Sequence, residues 1–334
     1  MELLSNAPVP RAVPEQYVFP PEKRPGNEKE VDPSVTLPVV DLGGKDVVRA
    51  VMEAGKEFGF FQVVNHGVAE GAVRAFRDAA AEFFALPPEE KLAYYSDDRS
   101  RAFRVASSTT YDKSETRYWR DYLKLQCFPV ERFLHQWPSS PESFRPSLAD
   151  YIVQVQKLSA TLLELIADGL GLPRDYFRKR DLSGGETQMN VNYYPACPDP
   201  SLTLGLLPHC DRHLLTVLSQ GEVTGLQAKY GGAWIPVRPI PGAFVINFGH
   251  QMEILTNGLL RSVEHRAVTN SAQPRMSVAT LIMPATHCLI APAPELLLNN
   301  DDPPKFRAFR FKEFMDAYAA AAASRESVLD YFRI

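Results

Sequence analysis

Cysteine is scarce: Cys127, Cys197, Cys210 and Cys288 are the only four in 334 residues, and none forms a C-x-x-C pair. That spacing speaks against a disulfide framework and for a reduced, cytoplasmic setting. A basic excess is missing too. Lys and Arg number 36 against 40 Asp and Glu, the formal net charge is −4, and no basic block occurs, so no nucleic-acid partner is expected. No apolar run approaches the ~18 residues of a membrane span, so no membrane association is expected. The N-terminus also lacks the basic, apolar and small-residue succession of a secretory signal. What remains is an ordinary globular composition, 45% apolar and 23% charged, in a chain long enough for a substantial core.

The chain is read as one domain, 1–334, in four stretches. Residues 1–36 carry Pro8, Pro10, Pro14, Pro20, Pro21 and Pro25 and read as an extended arm rather than a packed element. Residues 37–187 read as a mainly helical support region. Its apolar spacing predicts helices over 45–58, 70–84 and 143–170, and Phe60-Phe61-Gln62-Val63-Val64-Asn65 reads as a strand. Leu37 to Leu42 is a further short strand, and 96–133 a hairpin and loop region. From 188 to 292 short β-rich runs alternate with Gly, Pro and Asn, as in a sandwich or jelly roll. Residues 293–334 hold a C-terminal helix over 311–323, whose alanine run reads as structural only, and a tail. The expected class is α+β, a distorted double-stranded β-helix core flanked by helices.

Pro208-His209-Cys210-Asp211 is the candidate centre. On a strand, His209 and Asp211 would share a face, since side chains alternate with period two. His265 lies in a second alternating segment, Ser262 to Val268. Two imidazoles and one carboxylate on one side of a metal form the facial triad of non-haem Fe(II), with open positions for co-substrate and O₂. Ten residues beyond His265 stands Arg275, followed by Ser277 on the same strand face. If a 2-oxo acid such as 2-oxoglutarate is consumed, its far carboxylate needs a fixed cation, and the planar guanidinium fork suits it. Ser277 adds a hydroxyl donor. The same three ligands also suit a zinc hydrolase, with water in the fourth position. A non-catalytic jelly-roll binding protein is the third alternative.

Taken together, Asn192-Tyr193-Tyr194-Pro195, His209-x-Asp211, His265 and Arg275-x-Ser277 resemble the pattern of plant 2-oxoglutarate- and Fe(II)-dependent dioxygenases. The likeness runs from Leu37-Pro38-Val39-Val40-Asp41-Leu42 and Gly59 to Gly67 through the Leu296 region. The resemblance implies a jelly roll, iron on His209, Asp211 and His265, and 2-oxoglutarate held by Arg275 and Ser277 with Tyr194 and Asn192. It implies Fe(II), 2-oxoglutarate and O₂ as cofactor and co-substrates, with ascorbate as reductant. The implied activity is hydroxylation of a small specialised metabolite with release of succinate and CO₂; desaturation or ring closure on an indole, flavonoid or alkaloid is the alternative. Pro208 to Thr216, Thr256 to Leu260 and Glu264 to Ala267 are similar to the deoxymugineic-acid dioxygenases and, less closely, the tropane-alkaloid hydroxylases. The sequence departs from the family pattern at Cys210, where Thr or Ser is common, and at His250, where an acid or amide is.

Among the other histidines, His66 reads as a turn residue and His135 and His287 as surface or packing residues. His213 is set aside, because a fourth protein ligand would remove a position the chemistry needs. Candidates for lining the substrate pocket are Phe103, Tyr111, Met189, Phe248 and His250. Arg212 is expected to face outward, and Cys197, with no basic neighbour, to be inert packing. The expected partner is a small molecule; a monomer is compatible with the sequence, which does not itself set the oligomeric state.

Overall fold

The computed structural model describes residues 3–26, 35–98, 100–108, 116–298, 303–324 and 327–334. The β-branched and aromatic runs form strands, in chain order β1 (Val39–Asp41), β2 (Phe60–Val64), β3 (Phe103–Ser107), β4 (Asp121–Phe128), β5 (Thr187–Tyr194) and β6 (Leu206–His209). They continue as β7 (Leu215–Ser219), β8 (Leu226–Tyr230), β9 (Ala233–Pro236), β10 (Phe244–Phe248), β11 (His265–Ala267) and β12 (Arg275–Ile282). Eight strands make a major sheet in the order β1-β2-β10-β7-β12-β5-β4-β3, and four make a minor sheet, β6-β11-β8-β9. The two are the walls of the jelly roll.

The front half contributes more than helical support. β1 to β4 all join the major sheet, β4 pairing antiparallel with β5 and β2 with β10. The expected hairpin is β3–β4, and it closes one edge of that sheet. Strand parity decides what each residue faces. Along β5, Met189 and Val191 join the buried core with Tyr151, Ile152 and Val155 of the long helix Phe144–Gly169. Gln188, Asn190, Asn192 and Tyr194 face the opposite way, into a cavity. Helices Val47–Glu57 and Glu70–Ala85 pack on that same long helix. No helix among the described residues is long and apolar enough to cross a membrane.

The N-terminal arm differs from expectation because it packs. Tyr17 is buried edge-on against Trp119 at 5.1 Å, and Phe19 is buried against Tyr118. The backbone N–H groups of Leu4 and Ser5 donate to Asp121 at 3.0 and 2.6 Å. Short 3₁₀ turns between the prolines let the arm follow the surface. The C-terminal helix Phe311–Ser324 is likewise more than padding, since Met315, Tyr318 and Ala319 line the cavity.

Candidate metal centre

β6 and β11 are antiparallel neighbours, and their register sets His209 directly opposite His265. The two rings lie 4.2 Å apart, centroid to centroid. β6 ends at His209, so Asp211 sits in the turn beyond the strand, not on it. It converges with the imidazoles all the same. Oδ1 of Asp211 is 3.8 Å from Nε2 of His209 and 3.8 Å from Nε2 of His265. One ligand atom from each residue lies within 4.8 Å of the others, close enough to hold one metal ion.

Hydrogen bonds fix which atoms point inward. Nδ1 of His209 is 2.8 Å from the carbonyl of Leu207, and Nδ1 of His265 is 3.1 Å from that of Val263. A carbonyl only accepts, so Nδ1 carries the proton in both rings and each Nε2 presents a lone pair. Oδ2 of Asp211 accepts from Thr216 Oγ1 at 2.5 Å and Asn247 Nδ2 at 2.7 Å, leaving Oδ1 for the centre. Thr216 in turn accepts from His213 Nε2 at 2.6 Å. His213 is thus a buried support for the carboxylate. Sequence reasoning set His213 aside and missed Thr216 and Asn247. Asn247 did carry a signal, as the lone amide in the apolar run Phe244-Val245-Ile246-Asn247-Phe248.

Electrostatics agree with a site for a cation. Burial, reinforced by His265, lowers His209 to about 3, so it is neutral near pH 7. Burial would raise Asp211, but the imidazoles of His213, His265 and His209 outweigh it and hold the carboxyl well below its usual range. The turn itself depends on one glycine. The N–H groups of Gly249, His250 and Gln251 donate to the carbonyls of Leu214, Asp211 and His213. A Cβ on Gly249 would lie 1.9 Å from the His213 oxygen, so only glycine permits that approach.

The triad opens into a cavity of about 1130 Å³, which Tyr194, Asn192, Arg275 and Ser277 also line. Arg275 and Ser277 share a face of β12, opposite Tyr194 and Asn192 in register. Arg275 is buried, its guanidinium 5.2 Å from the Tyr194 ring centroid and its Nε donating to the Val223 carbonyl at 3.2 Å. Among the described residues no carboxylate pairs with it. Asn192 accepts from Arg120 at 3.1 Å.

The pocket expectations need correction. Phe103, Met189 and Phe248 belong to the buried core and do not line the cavity. Met189 falls on the outer parity of β5, Phe103 packs on Tyr94, and Phe248 packs on Phe61. Tyr111 lies outside the described residues. His250 does line the cavity, edge-on to Phe314, with burial lowering it to about 4. Arg212 points inward, not outward, against Tyr318 at 5.4 Å. Cys210 Sγ lies 3.6 Å from the Ser262 carbonyl, and burial pushes the thiol up to about 12. His66 is the expected turn residue, bonded to the Gly242 carbonyl at 2.7 Å. Cys197 is buried beside Thr203.

Comparison with known proteins bears on this geometry. The sequence model of the 2OG-Fe(II) oxygenase superfamily matches residues 185–284, and that of the non-haem dioxygenase in morphine synthesis N-terminal region matches 37–140. The chain is similar to 2'-deoxymugineic-acid 2'-dioxygenase of Hordeum vulgare, with 46% identity over 95% of this chain and 93% of that one. It is 41% identical to flavanone 3-dioxygenase 2 of Oryza sativa subsp. japonica, over 99% and 97% of the two chains. Hyoscyamine 6-dioxygenase of Hyoscyamus niger is 36% identical over 97% and 96%. Among solved structures, JOX2 in complex with 2OG, Fe and JA superimposes with a TM-score of 0.87 at 32% identity, covering 99% of this chain and 96% of that one.

Proposed function

The chain belongs to the 2OG-Fe(II) oxygenase superfamily, and on that premise we propose that it hydroxylates a small specialised plant metabolite at an unactivated C–H bond. Membership makes it a dioxygenase that uses Fe(II) and 2-oxoglutarate. When bound, these two activate O₂: 2-oxoglutarate is decarboxylated to succinate and CO₂, and one oxygen atom passes to the substrate.

In this reading His209, Asp211 and His265 hold the iron. Each presents one lone-pair atom, and each is braced from behind by a carbonyl, or by Thr216 and Asn247. The donor set fits Fe(II), with three protein ligands on one side and the cavity on the other. Arg275 receives the far carboxylate of 2-oxoglutarate, Ser277 and Tyr194 adjoin it, and Asn192 stands next along the same face.

The observation that carries the reading is Arg275. A buried guanidinium that faces a cavity without a carboxylate partner is costly, and a dianionic ligand supplies that partner. Hydrolysis by zinc on the same triad has no use for it. The four cysteines are free, which suits the reducing cytoplasm we propose as its location.

The test is succinate formation from 2-oxoglutarate in a substrate screen with added Fe(II), with product mass read in parallel. A gain of one oxygen is expected. A product lacking two hydrogens would indicate desaturation or ring closure, and turnover with Zn(II) but never with Fe(II) would sink the oxygenase reading.

A further inference from the structure

The lining of the cavity is strongly cationic. Seven Lys or Arg residues contribute to it, against three acids, Glu22, Asp211 and Glu264. Asp211 belongs to the metal triad, and Glu264 is tied to Lys229 at 2.7 Å. Fe(II) and the 2-oxoglutarate dianion cancel one another and leave the positive surplus standing. Arg275 is accounted for by 2-oxoglutarate, and Arg266 donates to Gln227 at 2.7 Å and covers the Trp234 ring.

Arg104 and Arg212 are different. Neither has a carboxylate within ion-pair distance among the described residues, and each keeps a buried Nε with no hydrogen-bond partner. Arg104 is only 5% exposed; its Nη1 donates to the Ser96 carbonyl at 3.0 Å, and its guanidinium lies 5.2 Å from the Tyr122 ring centroid. Arg212 lies over the Tyr318 ring at 5.4 Å and makes one long hydrogen bond, 3.5 Å, to Gln188 Oε1.

The inner sheet face connects these two cations. Arg104 lies opposite Lys124, and Lys124 opposite Asn190, in cross-strand register. Asn190 accepts from Gln188 at 3.2 Å, and Gln188 meets Arg212. All five residues line the cavity. On β5 this row is four residues from Tyr194, the partner of Arg275, which is roughly 13 Å at the rise of a strand. The row is thus set apart from Arg275 and Ser277 along the sheet.

We propose that the substrate is a carboxylate-bearing small molecule, docked along this rail from Arg212 through Gln188, Asn190 and Lys124 to Arg104. The inference rests on the oxygenase reading above and names the substrate class for that site. The planar forks of the two arginines match carboxylates, and the amides between them serve the neutral polar groups of the same molecule. A cationic or fully apolar substrate would leave both buried Nε donors without a partner and add nothing to balance the positive lining. Arg212 directly follows Asp211 in the chain, so one end of the rail lies beside the triad.

The experiment is binding without turnover. Anaerobic holoenzyme, loaded with Fe(II) and 2-oxoglutarate, is titrated by calorimetry and thermal shift with a panel of aromatic and aliphatic carboxylic acids that includes 2'-deoxymugineic acid. The methyl esters of the same compounds, hyoscyamine and a flavanone are run beside them. Acids are expected to bind and their esters to bind about tenfold or more weakly. Arg104→Gln and Arg212→Gln should each weaken the acid about tenfold or more, with partial recovery in Arg104→Lys and Arg212→Lys. Arg104 also supports the Ser96 carbonyl, so if Arg104→Gln does not fold, Arg212→Gln carries the test. The proposal is overturned if no acid binds, if esters, hyoscyamine or the flavanone bind as well as acids, or if folded Gln variants hold the acid as the parent does. Failure of the parent to bind 2-oxoglutarate in the same calorimeter would strike the oxygenase reading instead.

Discussion

Asn247 donates to Oδ2 of Asp211 across 2.7 Å, joining β10 to the turn after β6. The bond leaves Oδ1 as the free oxygen of the carboxylate. Asn247→Leu, which keeps the bulk and removes the donor, should therefore weaken Fe(II) binding about 10–100-fold while His209, Asp211 and His265 stay in place. Anaerobic titration with Fe(II), or with Co(II) read by its absorption, measures it. An unchanged affinity would deny Asn247 any part in orienting the ligand.

Arg275→Ala should act on the co-substrate and not on the metal. Losing charge-assisted hydrogen bonds to a carboxylate should raise the 2-oxoglutarate requirement about tenfold or more, with iron content maintained. His209→Ala and Asp211→Ala should instead abolish turnover through loss of iron. Steady-state kinetics against 2-oxoglutarate, with metal analysis of each variant, separates the two outcomes. If Arg275→Ala leaves the apparent affinity untouched, the clamp assignment is wrong.

Gly249→Ala places a methyl 1.9 Å from the His213 carbonyl oxygen. The turn holding Asp211 must then move away from the helix His250–Leu255. A loss of about 1–3 kcal/mol in stability is expected from the overpacking, together with reduced iron content. Denaturant melts and metal analysis report both; a variant as stable and as well loaded as the parent contradicts the close-approach argument.

Stability of the metal-free protein should fall as pH drops below neutrality. Burial lowers His209 to about 3 and His250 to about 4, from an ordinary value of 6.5. The unfolded chain takes up both protons near 6.5, whereas the folded chain holds both rings neutral until about 4 and below. Stability from these groups is full above the unfolded value of 6.5 and is lost progressively as pH falls from there toward the folded values. His250→Gln should flatten the decline in urea melts between pH 7 and 4.5; a profile identical to the parent would remove His250 from the account.

Asp121 anchors the arm. It is fully buried, burial raises its pKa, and its two oxygens accept from Leu4 and Ser5. Asp121→Ala leaves those two N–H groups without acceptors and should release the first residues of the arm. Faster hydrogen exchange and proteolysis confined to the region before Tyr17 is the expected result, with equal protection in parent and variant counting against it.

The sequence by itself determined most of the strands, the long helices and the residue types that converge on the candidate centre. Period-two and 3.6-residue patterns report local geometry, and His209, Asp211, His265 and Arg275 are of types whose chemistry leaves few uses in combination. Tertiary structure alone decided that Asp211 is held by Thr216 and Asn247, that the arm and the C-terminal helix close over the sheet, and that Arg212 turns inward while Met189 and Phe248 turn away. Each of these depends on which parity of a strand meets which partner, or on contacts between distant segments such as Asn247 with Asp211 and Leu4 with Asp121. Local pattern carries no record of such pairings, because the free energy that selects them comes from burial and hydrogen bonding across the assembled fold.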